Sequence, residues 1–317
     1  MASFTALTND DGARVAAAHG LGRCLGVTPV PAGTVNSNYF LDTESGRVFV
    51  RLYEQQEVDG VEYEWALLDH LVARGVPVPA RIRGPRPGEL RVGGRPVAVF
   101  ALVKGEDLCQ ALVTPERLRA VGAALARASK AGEDFPIRRA GRFTLADLVK
   151  LHDKAEAAQR PELKAPLARL RALHAELSAN TPALPQGVVH GDLFRDNVLW
   201  QGEQLAALLD WESASDGVVI YDLAATMLAW CCGDALDWKL ARALVDGYQS
   251  ERPIHAEEWQ GLHWSLRVGC LRFASTRLID VYLKGTYPAG YKSYARFLHR
   301  LDAVQAQTAE SLAALLA

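Results

Sequence analysis

Most of the signals that fix a protein's class at a glance are missing from this chain. Its 35 Lys and Arg stand against 37 Asp and Glu, a formal charge of -2, so there is no basic footprint of the kind nucleic acid or an anionic membrane demands. Cys24, Cys109, Cys231, Cys232 and Cys270 are an odd set without C-x-x-C spacing, which suggests neither a disulfide framework nor a zinc site. A reducing cytoplasm is the expected compartment. The opening MASFTALTNDDGARVAAAHG carries Asp10 and Asp11 and has no basic leader or apolar run, so a secretory signal is not expected. The longest apolar stretches, 96–103 and 223–232, are about half of the roughly 20 residues a membrane helix needs. No internal repeat is visible.

What is there is 317 residues, 49% hydrophobic and 23% charged, enough for one large or two moderate domains. The first hundred residues read as strands: 38–41 and 47–53 are rich in β-formers and are separated by the turn-forming 42–46, which predicts a hairpin. Val61, Trp65, Leu68 and Val72 then recur at helical spacing and predict one amphipathic helix. The prolines of 75–79 force extended chain, and 95–103 reads as a buried strand. After Lys104 and Gly105 the texture turns helical, with Thr114 as N-cap and Pro115 in the first turn of a helix that faces inward through Leu118, Val121 and Leu125. The Ala-rich 155–179 reads as a solvent-facing helix. Two short exceptions, 187–200 and 205–211, have the strand and loop pattern. Cys231 and Cys232 read as small core residues.

Those exceptions hold the chemistry. The segment His190-Gly191-Asp192-Leu193-Phe194-Arg195-Asp196-Asn197 reproduces the spacing of the kinase catalytic loop, H-x-D-L-x-x-x-N. Phosphoryl transfer needs a carboxylate beside the acceptor hydroxyl and an amide oxygen on a metal, and a short rigid loop presents both at once. Asp192 takes the first role and Asn197 the second, with His190 as a structural member. Thirteen positions on, at the end of an apolar run, comes Asp210-Trp211-Glu212, where protein kinases place D-F-G; Asp210 is the expected second metal ligand. Asp222 begins an apolar helix, where capping or bracing a loop explains it without catalysis. Arg51 sits at the strand position where protein kinases carry lysine, and Glu64 on the following helix is its candidate ion-pair partner. Residues 32–39 suggest a hairpin turn, either a plain one, since a single glycine is not the full G-x-G-x-x-G pattern, or one whose backbone amides face phosphates.

With these residues in hand, the chain resembles the aminoglycoside phosphotransferase-like superfamily, the small-molecule cousins of protein kinases. The phrases AGTVNSNYF, ARGVPVP, VGGRPVAVF, HGDLFRDNVLW and YDLAATMLAWC are similar to the kinase-fold homoserine kinases within it. Asp210-Trp211-Glu212-Ser213-Ala214-Ser215 and Ala229 depart from that branch near the expected acceptor side. The resemblance implies an α+β, bilobal protein-kinase-like fold: a nucleotide-binding lobe of antiparallel sheet over 1–103, a hinge at 104–107, and a mainly helical catalytic lobe over 108–317. It implies ATP and Mg2+ as cofactors and a small-molecule alcohol, homoserine first, as acceptor. Asn36, Ser37, Asn38, Arg51, Glu64, Ala101 and Val103 are the expected cofactor side. Asp192, Glu212, Arg267 and Arg272 are candidates for the acceptor side, because homoserine needs a cation for its carboxylate. At 100° per residue Arg267 and Arg272 flank the apolar stripe of the later helix and Arg277 points elsewhere. Other hydroxyl acceptors (an aminoglycoside, choline, a sugar, a protein serine) stay open, as does a nucleotide-binding regulatory protein without turnover.

Overall fold

The structure, a computed structural model, describes residues 5–30, 35–233, 235–283 and 293–316. The chain divides into two compact units. The first comprises 1–106 with 199–202 and 206–212; the second takes the remainder.

In the first unit a helix α1 (Asn9–Ala18) precedes β1 (Cys24–Pro29), β2 (Ser37–Thr43) and β3 (Gly46–Leu52), then α2 (Val58–Ala73), β4 (Arg91–Val92) and β5 (Arg95–Ala101). The strands form an antiparallel sheet in the order β1-β2-β3-β5-β4. The hairpin, the amphipathic helix and the strand from Arg95 lie where the sequence placed them. Helix α1 was not among the expectations, although its start is legible: Thr8 Oγ1 accepts from Asp11 N at 3.1 Å while Asp11 accepts from Thr8, a reciprocal capping box. Alternation along β3 turns Val48, Val50 and Leu52 into a core shared with Val15, Leu41, Val97 and Val99. The intervening Arg51 therefore faces the other side of the sheet. There it meets α2, whose buried residues include Glu64.

The second unit is mainly helical: α3 (Pro115–Gly132), α4 (Leu145–Ala157), α5 (Lys164–Ala179), then β6 (Gln186–Val189), and, after the intervening strands β7 (Val198–Gln201) and β8 (Gln204–Leu208), β9 (Ser215–Val218), α6 (Val219–Trp230), α7 (Trp238–Gln249), α8 (Ala256–Arg277), α9 (Ala295–Gln305) and α10 (Ala309–Leu316). Thr114 caps α3 by accepting from Arg117 N, with Pro115 in the first turn. Helices α3 and α7 pack backbone to backbone at Gly122 and Gly247, where an added Cβ would collide with a carbonyl of the opposite helix. The single helix expected over 155–179 is two: Gln159 takes φ 52° and Pro161 opens a new turn, because a left-handed residue followed by proline ends a helix. Nor does α5 simply face solvent, since Leu167, Leu170, Leu173 and Leu177 are buried along one side. Among the described residues no helix is long and apolar enough to cross a membrane.

Candidate active site

In the second unit the segment from His190 to Asn197 leaves β6 and closes in a single 3-10 turn, Arg195–Asn197, before β7. Its bends are held by its own backbone: Phe194 N donates to the Asp192 carbonyl at 2.8 Å and Asn197 N to the Phe194 carbonyl at 3.0 Å. Gly191 sits at φ 76°, a conformation that favours glycine. The side chains complete the frame. Asn197 Nδ2 donates to the Asp192 carbonyl at 2.8 Å, so the amide nitrogen is the end committed to the loop. Trp230 Nε1 donates to the Leu193 carbonyl at 2.9 Å, and His190, 1% exposed, accepts from Asp192 N at 3.2 Å.

Asp222 does not cap α6, whose N-cap is Val218. Its carboxylate instead accepts from His190 N at 2.5 Å and Gly191 N at 2.7 Å, bracing the two residues before Asp192; of the two roles expected of it, capping and bracing a loop, it takes the second. Burial pushes its carboxyl above the usual range, with His190 and the two amides working the other way. From α8, Arg272 reaches the same stretch. It donates to the Gly191 carbonyl and to Tyr221 Oη at 3.1 Å, and its Nη2 lies 3.8 Å from Asp192 Oδ1. Burial opposes the charge on Arg272, yet Tyr221 and Asp192 outweigh it and raise its pKa. Arg267 is turned to Glu176 of α5 at 2.5 Å rather than to the loop. Tyr221, to which the sequence reading gave no role, is thus part of the frame; its place before Asp222 was the only signal.

In the first unit Arg51 Nη1 donates to Glu64 Oε1 at 3.3 Å and to Asp210 Oδ1 at 3.2 Å. The expected ion pair is present, and Asp210 joins it. Asp210 adopts φ 62°, a left-handed conformation that Asp tolerates better than most residues. Burial alone would lower the Arg51 pKa, but Asp210 and Glu64 hold it above the ordinary value. For Glu64, burial prevails over Arg51 and pushes the carboxyl up to about 7. Asn36, just before β2, donates to Glu212 Oε2 at 2.6 Å. Ser37 donates to Glu54 Oε1 at 2.5 Å, and Asn38 pairs with Arg51 across the β2–β3 ladder. Glu54 and Gln56, whose amide donates to the Glu212 carbonyl at 3.4 Å, carried no sequence signal. Ala101 closes β5 with its N–H on the Ala80 carbonyl, and Val103 follows it. The rest of the expected phosphate turn, 32–34, lies outside the described residues.

These groups suit a metal nucleotide. Asn38 Oδ1, Arg51 Nε and Glu64 Oε2 are buried without a hydrogen-bond partner among the described residues, polar capacity that a polyphosphate and its cation can use. Asp210 in the first unit and Asn197 in the second each carry a hard oxygen of the kind Mg2+ takes together with phosphate oxygens.

Comparison with known proteins adds a second line. A model of the phosphotransferase enzyme family matches residues 26–262. The homoserine kinase of Beijerinckia indica subsp. indica is 36% identical over 291 residues, covering 88% of each chain. That of Methylocella silvestris is 35% identical over 286 residues, again 88% of each. Among solved structures, amicoumacin kinase, determined with AMP-PNP and Ca2+, superposes with a TM-score of 0.66 at 14% identity over 91% of this chain and 88% of its own. At that identity the likeness shows the fold alone, the α+β protein-kinase-like fold expected from the sequence.

Proposed function

The chain belongs to the phosphotransferase enzyme family and is an ATP-dependent alcohol phosphotransferase; from that premise we propose that its acceptor is homoserine and that it works with a divalent metal, Mg2+. The observation that carries the acceptor is the likeness to curated homoserine kinases along 88% of both chains. The catalytic side rests on the braced loop that presents Asp192.

In this reading Asp192 accepts the proton of the acceptor hydroxyl as that oxygen attacks the γ-phosphorus in line, and ADP leaves without a phosphoenzyme. Asn197 and Asp210 offer oxygens to the cation, which when bound neutralises charge on the transferring phosphoryl group. Arg51, held by Glu64, directs its fork at phosphate oxygens. Asn36, Ser37, Asn38, Ala101 and Val103 belong to the nucleotide side. The first unit is thereby assigned to the nucleotide and the second to the acceptor. A cytoplasmic setting goes with the proposal, and the five free thiols suit it.

The test is an ADP-release assay with homoserine, choline, kanamycin and several sugars, each with Mg2+, Ca2+ or chelator. Homoserine with Mg2+ is expected to give the highest kcat/KM. Turnover of another acceptor with homoserine silent overturns the assignment.

A further inference from the structure

The acceptor proposed above carries a carboxylate, and the second unit sets a cation beside the loop of Asp192. Arg277, in the last turn of α8, lies over two rings, 4.3 Å from the centroid of Phe297 and 5.7 Å from that of Phe194. Phe194 is in the loop, two residues after Asp192. It stacks edge to face on Phe273 at 4.9 Å, and Phe273 meets Phe297 at 5.1 Å, so the rings form a continuous ladder from α9 to the loop. The wheel that pointed Arg277 elsewhere gives the direction of Cβ alone; the long side chain follows the rings.

What surrounds Arg277, half-buried, separates it from three other buried or half-buried arginines of the unit. Arg252 is paired with Glu258 at 3.0 Å and Arg267 with Glu176, while Arg272 is engaged by Gly191, Tyr221 and Asp192. Arg277 instead shares the Phe297 ring with a second guanidinium, Arg300, at 4.5 Å. Burial and then Arg300 lower its pKa to about 10, with Arg296 adding to them and Asp192 and Asp196 opposing. A cation so disfavoured gains from an incoming anion more than one already paired. A guanidinium over a ring can still offer two in-plane N–H groups to one carboxylate.

We infer that Arg277, seconded by Arg300, anchors the carboxylate of the acceptor and so selects a hydroxy amino acid over a cationic alcohol. The inference rests on the homoserine reading. It accounts for how a carboxylate is held near a base that is itself an anion: the arginines offset the repulsion between them.

The experiment compares L-homoserine with 3-aminopropan-1-ol, which has the same hydroxyl and amine and no carboxylate, in wild type, R277Q and R277K, alongside ATP affinity by calorimetry and melting temperature. Wild type is expected to prefer homoserine. R277Q should raise the homoserine KM on the order of 10- to 100-fold and shrink the ratio of kcat/KM between the two acceptors by a similar factor. R277K, which keeps charge but not the fork, should recover part of the ratio. An unchanged ratio in R277Q, or in R277K should R277Q fail to fold, overturns the inference while leaving homoserine as acceptor. Wild type inactive on homoserine overturns the acceptor reading, and the inference falls with it.

Discussion

The two charged clusters of the molecule are built with opposite excess. In the first unit Glu64, Asp210 and Glu212 all act on a single arginine, Arg51. In the second, Arg272 stands 3.8 Å from Asp192, with Arg277 and Arg300 stacked on the rings that run to its loop. Under the proposed function each excess has a use: carboxylates beside Arg51 suit a metal cation, and guanidiniums beside the loop of Asp192 suit an anionic acceptor. Their means of rigidity differ as well. The first cluster is held by ions, the second by backbone amides gathered on Asp222.

That difference is open to test, beginning with the largest effect. Asp222→Ala strips the partner from two buried N–H groups, each costing about 1–3 kcal/mol to leave unmade, and frees the loop before Asp192. Turnover should drop by at least about 10-fold, while nucleotide affinity, assigned to the first unit, holds within about twofold. Equal loss of both would erase the distinction between the clusters.

Acidity gives a smaller contrast, of opposite sign in the two units. Glu64, raised to about 7 by burial from an ordinary 4.5, keeps a proton in the folded state that the unfolded chain has released. Its contribution is therefore complete below pH 4.5 and is lost as pH rises through 7. His152, which meets Ser275 Oγ at 2.8 Å and whose pKa is lowered to about 4 first by burial and then by His174, does the reverse. Its contribution is complete above pH 6.5 and is lost as pH falls through 4. Hydrogen exchange of the ligand-free protein from pH 4.5 to 7.5 should show the first unit weakening and the second strengthening, by at most about 1.4 kcal/mol per pH unit for each group. Glu64→Gln should flatten the first slope alone; parallel slopes in both units would contradict the contrast.

Smallest of the three, Thr114→Ala removes the cap of α3 and should cost about 1 kcal/mol with kcat unaltered, as measured by denaturant unfolding and the same assay. A fall in kcat there would mean that the braced loop is not insulated from the helical scaffold.

Much of this was legible because the informative residues act over short stretches of chain. Thr114-Pro115 predicts its own helix, the turn at 42–46 its own hairpin, and the eight residues from His190 their own loop, since each encodes local geometry. The pairing of Arg51 with Glu64 was legible through spacing along a strand and the next helix. What escaped depends on contacts between distant segments. Asp222 reads equally as a cap or a loop brace until β6 is seen to bring His190 and Gly191 to it, and Arg277 reads as off the apolar stripe until α9 supplies Phe297. The break at Gln159 was missed because an Ala-rich composition favours helix on both sides, and helix propensity does not report a single left-handed residue. The start of α1 is local as well, since Thr8 and Asp11 have capping-box spacing in the sequence itself.

The most direct test of the central division of labour is a paired measurement on Asp192→Asn and Asp210→Asn: turnover with homoserine, and ATP affinity with and without Mg2+. Asp192→Asn is predicted to lose on the order of 10²- to 10⁴-fold in kcat with its Mg2+-dependent ATP affinity intact, and Asp210→Asn to lose that affinity. Ample turnover in Asp192→Asn, or undiminished Mg2+-dependent binding in Asp210→Asn, would contradict the account.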